Sequence, residues 1–111
     1  MNKKEKQIIK NIIISLREEI LNKKIQFTGS ENFPLGCCGN ASNILLDRLK
    51  ANGFKQIEQK VNMWFNNRSH SWLIYKEHII DITIDQFESI EYQCFIFEEK
   101  KSLFHQKFQQ I

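Results

Sequence analysis

The spacing of apolar residues changes at Gly53, and this change constrains the fold more than any other feature of the chain. Before Gly53, apolar side chains recur at the helical spacing of about 3.6 residues. After Phe54 they alternate with polar neighbours, as in strands. Helices followed by strands indicate an α+β fold, with N-terminal helices packed on an antiparallel sheet.

The predicted helices cover residues 5–21 and a segment from near Cys38 to Asn52, where Gly53 suits the left-handed position after the last turn. A loop rich in Gly and Pro separates them at 27–37. The predicted strands are one through Val61, then 69–75, 79–84 and 92–97, with turns at 66–67 and 76–77. The tail around Phe104 and Phe108 fits either a short helix or a last strand.

Length and composition predict one globular domain over residues 1–111. Hydrophobic residues make up 41% and charged residues 26%, which are ordinary globular values, and the nine Phe and two Trp argue against disorder. No apolar run approaches the roughly 20 residues that a bilayer crossing needs. We therefore expect neither a disordered chain nor a membrane protein.

The net charge of +3 is mild, and acidic residues are interleaved among the Lys and Arg residues. This pattern is typical of a solvated surface and does not favour nucleic acid as a partner. The three cysteines are an odd number, and no signal-peptide pattern follows the N-terminus, so we expect free thiols and a cytoplasmic location. The adjacent Cys37 and Cys38 lack the spacing of a structural zinc site, so no metal is predicted.

Cys38 stands where a Gly-rich loop meets the second predicted helix. The N-terminus of a helix carries about half a positive charge, which favours a thiolate and lowers the pKa of a cysteine. Gly39 and Ala41 are small neighbours that let a substrate backbone approach. Free N–H groups of the first helical turn can also donate to a developing oxyanion. Cys38 is therefore a candidate nucleophile, with Cys37 as its rival.

His70 and Asp81 belong to the two strands of one predicted hairpin. A two-residue turn centred on 75–76 places them directly opposite each other, and one centred on 76–77 places them on a diagonal. Both arrangements put the two side chains on one face of the sheet, because side chains alternate along strands. Asp81 can then orient the imidazole of His70, as in a nucleophile–base–orienter triad. Trp72 shares this face and could form one wall of the site.

Three segments resemble the transglutaminase-like branch of the papain-like superfamily of cysteine enzymes. They are GCCGNAS at 36–42, SHSWL at 69–73 and IIDITIDQF at 79–87, and the resemblance covers about residues 34–87. The order Cys, His, Asp along the chain is also similar. The resemblance implies a transglutaminase-like, papain-like core in which Cys38 is the nucleophile, His70 the general base and acid, and Asp81 the orienter.

The resemblance further implies a thiol enzyme acting on an amide or acyl carbon: a peptidase, amidase, glutamine deamidase or acyltransferase, possibly of toxin or effector type. The expected partner is a protein or peptide amide, and the mechanism requires no cofactor or metal. Asn32 stands six residues before Cys38, where papain-like peptidases carry an oxyanion-binding Gln, and Asn40 and Gln86 are competitors for this role.

A different class of function stays open beside this one. A catalytically inactive copy of the same fold would be a binding or immunity module that recognises a protein partner. The complete set of Cys38, His70 and Asp81 favours the enzyme, because a module without turnover has no chemical need for all three. The substrate, the choice between hydrolysis and transfer, and the oligomeric state are not determined by the sequence.

Overall fold

A computed structural model describes residues 1–64, 69–86 and 95–110 and has the predicted α+β architecture. The α-helices of this part of the chain are α1 (Lys3–Leu21), α2 (Cys38–Ala51) and α3 (Leu103–Gln106). Its strands are β1 (Glu58–Trp64), β2 (Ser69–Tyr75), β3 (His78–Ile80), β4 (Ile96–Glu98) and β5 (Phe108–Gln110). The predicted turn at 66–67, and residues 92–94 of the predicted fourth strand, lie outside the described residues.

The strands form one sheet in the order β4-β3-β2-β1-β5, and every neighbouring pair is antiparallel. Strand β2 is therefore central, flanked by β1 and β3. The tail, for which the sequence left two alternatives, forms both: the single turn of α3 is followed by β5, which pairs with β1 at Trp64↔Phe108. The C-terminal segment thus completes one edge of the sheet.

Helix α1 confirms the apolar stripe predicted for residues 5–21. Its first turn is closed by a capping box between Asn2 and Glu5, in which each side chain accepts from the backbone N–H of the other residue. The stripe is buried in one core with the inward face of α2 and the β2 residues Leu73 and Tyr75; the stripe consists of Ile9, Ile13, Leu16 and Ile20. Both long helices therefore cover the same face of the sheet.

The other face of the sheet is covered by the C-terminal segment. Trp72 and Ile79 form a second, smaller apolar cluster there with Phe108. Strand β1 follows the predicted alternation, but its Val61 is 49% exposed whereas Asn62 is only 6% exposed. The alternation of apolar and polar residues thus predicted the strand but did not show which of its two faces would be buried.

The turn between β2 and β3 consists of Lys76 and Glu77, as predicted. Both residues have positive φ, 47° and 62°, which is the backbone geometry of the two-residue turns that match strand twist. The resulting register pairs Leu73 with Ile80, so Trp72 stands opposite Asp81. His70 and Asp81 accordingly occupy the diagonal arrangement, one of the two that the sequence allowed.

The predicted strand at 79–84 is wrong beyond Ile80. Asp81 Oδ1 accepts the backbone N–H of Thr83 at 3.2 Å, a local bond that competes with strand pairing. The chain then turns into a single 3-10 turn, Ile84–Gln86. This early end of β3 brings the residues after Asp81 under α1.

Among the helices that the structure describes, none combines the length and the apolarity that a bilayer crossing requires.

Candidate active site

Helix α2 presents its first residue, Cys38, to strand β2. Ser42 lies one turn further on the same face, is fully buried, and donates from Oγ to the carbonyl oxygen of Ser71 at 3.4 Å. Leu45 continues this face into the core. Because Ser71 directly follows His70, the docking of α2 brings the thiol to the imidazole.

The Cys38 thiol is partly exposed, and the His70 side chain lies near enough to act on its pKa. Burial by itself would raise the pKa of this thiol. The hydrogen bond and charge of His70, with backbone hydrogen bonds from Ser71 and Gly39, outweigh burial and hold the pKa of Cys38 below its ordinary value. The site therefore favours a thiolate paired with an imidazolium.

Cys37 has the opposite surroundings. It is the residue before the first turn of α2, it is buried, and its Sγ contacts the carbonyl oxygens of Leu35 at 3.3 Å and Gly29 at 3.5 Å. Burial, followed by the nearby Cys38 and Glu31, raises the pKa of its thiol. Of the two adjacent cysteines, Cys38 is thus the one with the properties of a nucleophile.

His70 and Asp81 are both 0% exposed and are joined by a hydrogen bond of 2.6 Å between Nε2 and Oδ2. Burial opposes the charge on His70, but the charge of Asp81 and the hydrogen bonds of Asp81 and Cys38 raise the pKa of His70 to about 9. Burial also opposes the charge on Asp81, yet His70 and His105 hold the pKa of Asp81 below its usual range. Because Asp81 engages Nε2, a proton exchanged with the thiol would pass through Nδ1, which the Gln86 amide also contacts.

Gln86 contacts the nitrogen of His70 that faces away from Asp81. Its Nε2 lies 2.9 Å from His70 Nδ1 and donates to Thr83 Oγ1 at 3.2 Å, and its Oε1 accepts from the backbone N–H of Gly36 at 3.4 Å. An amide can donate to a bare ring nitrogen or, after rotation, accept from a protonated one. Gln86 therefore links the imidazole to the loop before α2, beyond the backbone role that its position in a turn indicated.

The other predicted site residues are placed as follows. Trp72 packs beside His70, with 5.4 Å between ring centroids, and the backbone of Gly39 hydrogen-bonds the Cys38 sulfur. Asn32 lies in a short 3-10 turn with an exposed side chain, and no described hydrogen bond joins that side chain to Cys38 or His70. The predicted oxyanion role of Asn32 therefore has no contact to support it.

Arg17 supports the site, and the sequence reasoning missed it. This buried residue of α1 donates from Nη1 to the Ile82 carbonyl at 2.7 Å and forms two hydrogen bonds with the Asp85 carboxylate, at 3.0 and 2.6 Å. Its guanidinium lies 5.0 Å from the ring centroids of both Phe33 and Phe95. The sequence does carry a signal for Arg17, because a charged residue inside the apolar stripe of α1 needs a buried partner.

His105 is a second missed residue, which the sequence placed only in an undecided tail. Its Nε2 lies 2.7 Å from Asp81 Oδ2, and its Nδ1 lies 2.5 Å from Ser102 Oγ. Asp81 Oδ2 therefore lies within hydrogen-bond distance of two imidazole rings. No sequence signal paired His105 with Asp81, because the contact requires the tail to fold back over the sheet.

His70, Asp81 and His105 are also the donor types that a divalent cation takes, and their ligand atoms lie within 4.8 Å of one another. In the present arrangement the two N···O distances to Asp81 are 2.6 and 2.7 Å, which are hydrogen-bond lengths. The second nitrogen of each ring is engaged as well, by Gln86 and by Ser102. The cluster is therefore a satisfied hydrogen-bond network.

A cavity of about 300 Å³ adjoins this network on the face of the sheet that the C-terminal segment covers. Trp72 and His105 line it, together with Lys60 and Asn62 of β1 and further residues of β2, β3, β5 and the tail. Within the described part of the chain, the indole Nε1 of Trp72 is buried without a hydrogen-bond partner. The cavity thus has mixed polar and apolar walls, and Trp72 belongs to one of them.

Comparison of the chain with protein-family models, with curated proteins and with solved structures finds no match in any of the three.

Proposed function

We propose that the protein is a thiol enzyme that cleaves or transfers an amide or acyl group, with Cys38, His70 and Asp81 as its catalytic triad. One observation carries the proposal: a buried imidazole is hydrogen-bonded to a buried carboxylate at 2.6 Å, and the same imidazole lowers the pKa of the partly exposed Cys38 thiol. A thiol with a lowered pKa, an imidazole and a carboxylate are the groups that nucleophilic catalysis needs, and this supports the roles proposed for the three residues. The resemblance to transglutaminase-like enzymes agrees with this chemistry.

In the proposed reaction, the Cys38 thiolate attacks the carbonyl carbon and forms a carbon–sulfur bond. The proton held at His70 Nδ1 passes to the leaving amine as the carbon–nitrogen bond breaks, which leaves a thioester. Water or an amine then attacks the thioester while Nδ1 takes its proton; the carbon–sulfur bond breaks, and the thiolate–imidazolium pair is restored. Asp81 stays ionised and holds the ring through Nε2.

The oxyanion requires donors close to the sulfur. The N–H groups in the first turn of α2 have no carbonyl partner inside the helix, and Cys38 itself occupies that turn. Because Asn32 makes no described contact with Cys38, backbone N–H groups are the better candidates. The start of α2 would thus supply both the nucleophile and its electrostatic support.

The proposal is tested by the rate at which iodoacetamide alkylates each cysteine, measured by peptide mass spectrometry across pH. Cys38 should react well below pH 8, unlike an unperturbed thiol with a pKa of about 8.5. The enhancement should disappear in His70→Ala and persist in Cys37→Ala, the matched control. If Cys38 reacts no faster than a free model thiol, the enzyme hypothesis is wrong and the binding or immunity module becomes the better description.

The type of reaction is identified by intact-mass analysis after incubation with glutamine-containing peptides and folded proteins. Deamidation adds about one dalton to the target, peptidase activity produces fragments, and an added amine is incorporated if the thioester is transferred. Cys38→Ala should abolish every one of these products. Activity of Cys38→Ala equal to wild type would exclude the thiol mechanism.

A further inference from the structure

We infer that His105 is a positioning residue for the proposed triad, holding the Asp81 carboxylate through a second hydrogen bond while Ser102 fixes the His105 ring. This inference rests on the proposed function. It extends the triad into a chain of four side chains beyond the sulfur, running through His70, Asp81, His105 and Ser102.

Both carboxylate oxygens of Asp81 have hydrogen-bond partners. Oδ2 lies 2.6 Å from His70 Nε2 and 2.7 Å from His105 Nε2, and Oδ1 accepts the N–H of Thr83 at 3.2 Å. The carboxylate and His70 are 0% exposed and His105 is 3% exposed, so bulk water does not reach this network. A buried carboxylate without such donors would take up a proton more readily.

Ser102 gives the His105 ring one orientation. Its Oγ lies 2.5 Å from Nδ1, and it makes no hydrogen bond from its side chain to the backbone of the helix that it precedes. A hydroxyl can donate to a neutral ring or accept from a protonated one. The hydroxyl therefore serves the ring in both states and keeps Nε2 directed at Asp81.

The ion pair at the thiol depends on this second bond. Thiolate formation leaves a proton on His70, and the charge of Asp81 is the leading interaction that favours that proton. When His105 is removed, Asp81 loses a donor and takes a proton at higher pH. The charge that stabilises the imidazolium is then weakened, so the Cys38 thiolate should take up a proton at higher pH.

Other charged or titratable groups also face this network. Cys38 reaches it from α2 and His70 from β2, and Lys60 of β1 and Glu99 line the cavity beside His105. On the α1 side, Arg17 binds the Ile82 carbonyl next to Asp81 and is neutralised by Asp85. None of these groups changes in the variants below, so a shift in the pH profile reports on the hydrogen bonds of His105.

The test is the pH profile of Cys38 alkylation in His105→Ala, His105→Gln and Ser102→Ala. In His105→Ala we expect the midpoint of the acid limb to move up by about one pH unit, the size expected from one lost hydrogen bond to a charge. His105→Gln retains an N–H donor and should recover part of the shift, and Ser102→Ala should move the midpoint less and in the same direction. His78→Gln, which changes a histidine at the hairpin turn, is the matched control and should match wild type.

A thermal melt of each variant separates a fold defect from a positioning defect, because loss of stability alone does not move the midpoint. If His105→Ala does not fold, Ser102→Ala and His105→Gln decide the matter. Folded variants with the wild-type midpoint would overturn the inference while leaving the triad intact. An unreactive Cys38 in the wild-type protein would instead remove the proposed function itself.

Discussion

At the scale of single residues, the adjacent Cys37 and Cys38 have surroundings that shift their pKa values in opposite directions. Successive residues of a helix point about 100° apart, so Cys38 faces the sheet while Cys37 packs against the carbonyls of the preceding loop. The pKa of Cys38 is lowered, chiefly by His70 acting against burial, and that of Cys37 is raised by burial. We therefore expect thiol reactivity at Cys38 and not at Cys37.

The first prediction concerns the pKa of His70, which is raised from 6.5 to about 9 against the effect of burial by Asp81 and, secondly, by Cys38. In Cys38→Ala the pKa of His70 should fall yet stay above 6.5, since Asp81 remains. Ring NMR resonances followed through a pH titration measure both values. An unchanged value in Cys38→Ala would mean that the thiol and the ring do not interact.

The same variant links this pKa to stability. In Cys38→Ala the titration of the thiol no longer overlaps that of His70, and the folded state holds a proton on His70 more tightly than the unfolded state, because Asp81 keeps the pKa of His70 raised. The contribution of His70 should be fully present below about pH 6.5 and be lost as the pH rises through the folded-state pKa. Urea unfolding at several pH values should show the free energy of unfolding falling over that window; a rise there would contradict a protonated His70.

The third prediction concerns Asp81→Asn. An amide carries no charge, so it cannot stabilise the imidazolium, and Cys38 alkylation near neutral pH should slow by about tenfold or more. Some reactivity should remain, because the thiol and the ring are still present. Asp47→Asn, which alters an exposed carboxylate of α2, serves as the control. Equal rates in Asp81→Asn and wild type would remove Asp81 from the triad.

At the scale of elements, the β2–β3 turn sets the register and the end of β3 sets the direction of the chain after Asp81. The turn at 76–77 was predicted, and it places His70 and Asp81 on a diagonal. The end of the strand was not predicted, since the run of Ile residues favours a longer strand. A single side-chain bond from Asp81 to the Thr83 N–H outweighed that local preference.

The fourth prediction uses the backbone of this turn. Glu77 has a φ of +62°, a left-handed conformation that costs a residue with a Cβ about 1 kcal/mol relative to Gly. Glu77→Gly should therefore increase the free energy of unfolding by up to about that amount without altering Cys38 reactivity. Urea denaturation measures the change, with Glu77→Ala as the control that keeps the Cβ. A loss of stability in Glu77→Gly would show that the turn has a different geometry.

At the scale of the whole molecule, both ends of the chain converge on the segment that carries Asp81. Arg17 of α1 binds the Ile82 carbonyl and Asp85 on one side, and His105 of the tail binds Asp81 on the other. The resulting site lies between the two cores, one under the helices and one under the C-terminal segment. Integrity of the site therefore depends on the complete fold.

The fifth prediction concerns Arg17→Met, which keeps an apolar side chain but leaves the Ile82 carbonyl and Asp85 without their partner. We expect a loss of about 3 kcal/mol in the free energy of unfolding, the size typical of breaking one side of a buried ion pair. Cys38 alkylation should also slow, because the Asp81 segment loses its support. In the double variant Arg17→Met/Asp85→Leu part of the stability should return, and strictly additive losses would exclude coupling between the two residues.

The sequence by itself determined the two long helices, the α+β order and the location of the β2–β3 turn to within one residue, because periodicity, capping and turn chemistry act over a few neighbouring residues. It also named Cys38, His70 and Asp81 as candidates, with Cys37 as a rival. Only the tertiary structure decided that Arg17 supports the segment after Asp81 and that His105 shares the carboxylate. These contacts join residues far apart in the chain, at sequence separations of 65 for Arg17 and Ile82 and 24 for Asp81 and His105. Their partners are selected by burial, since a charge removed from water must find whatever donor the folded chain brings to it.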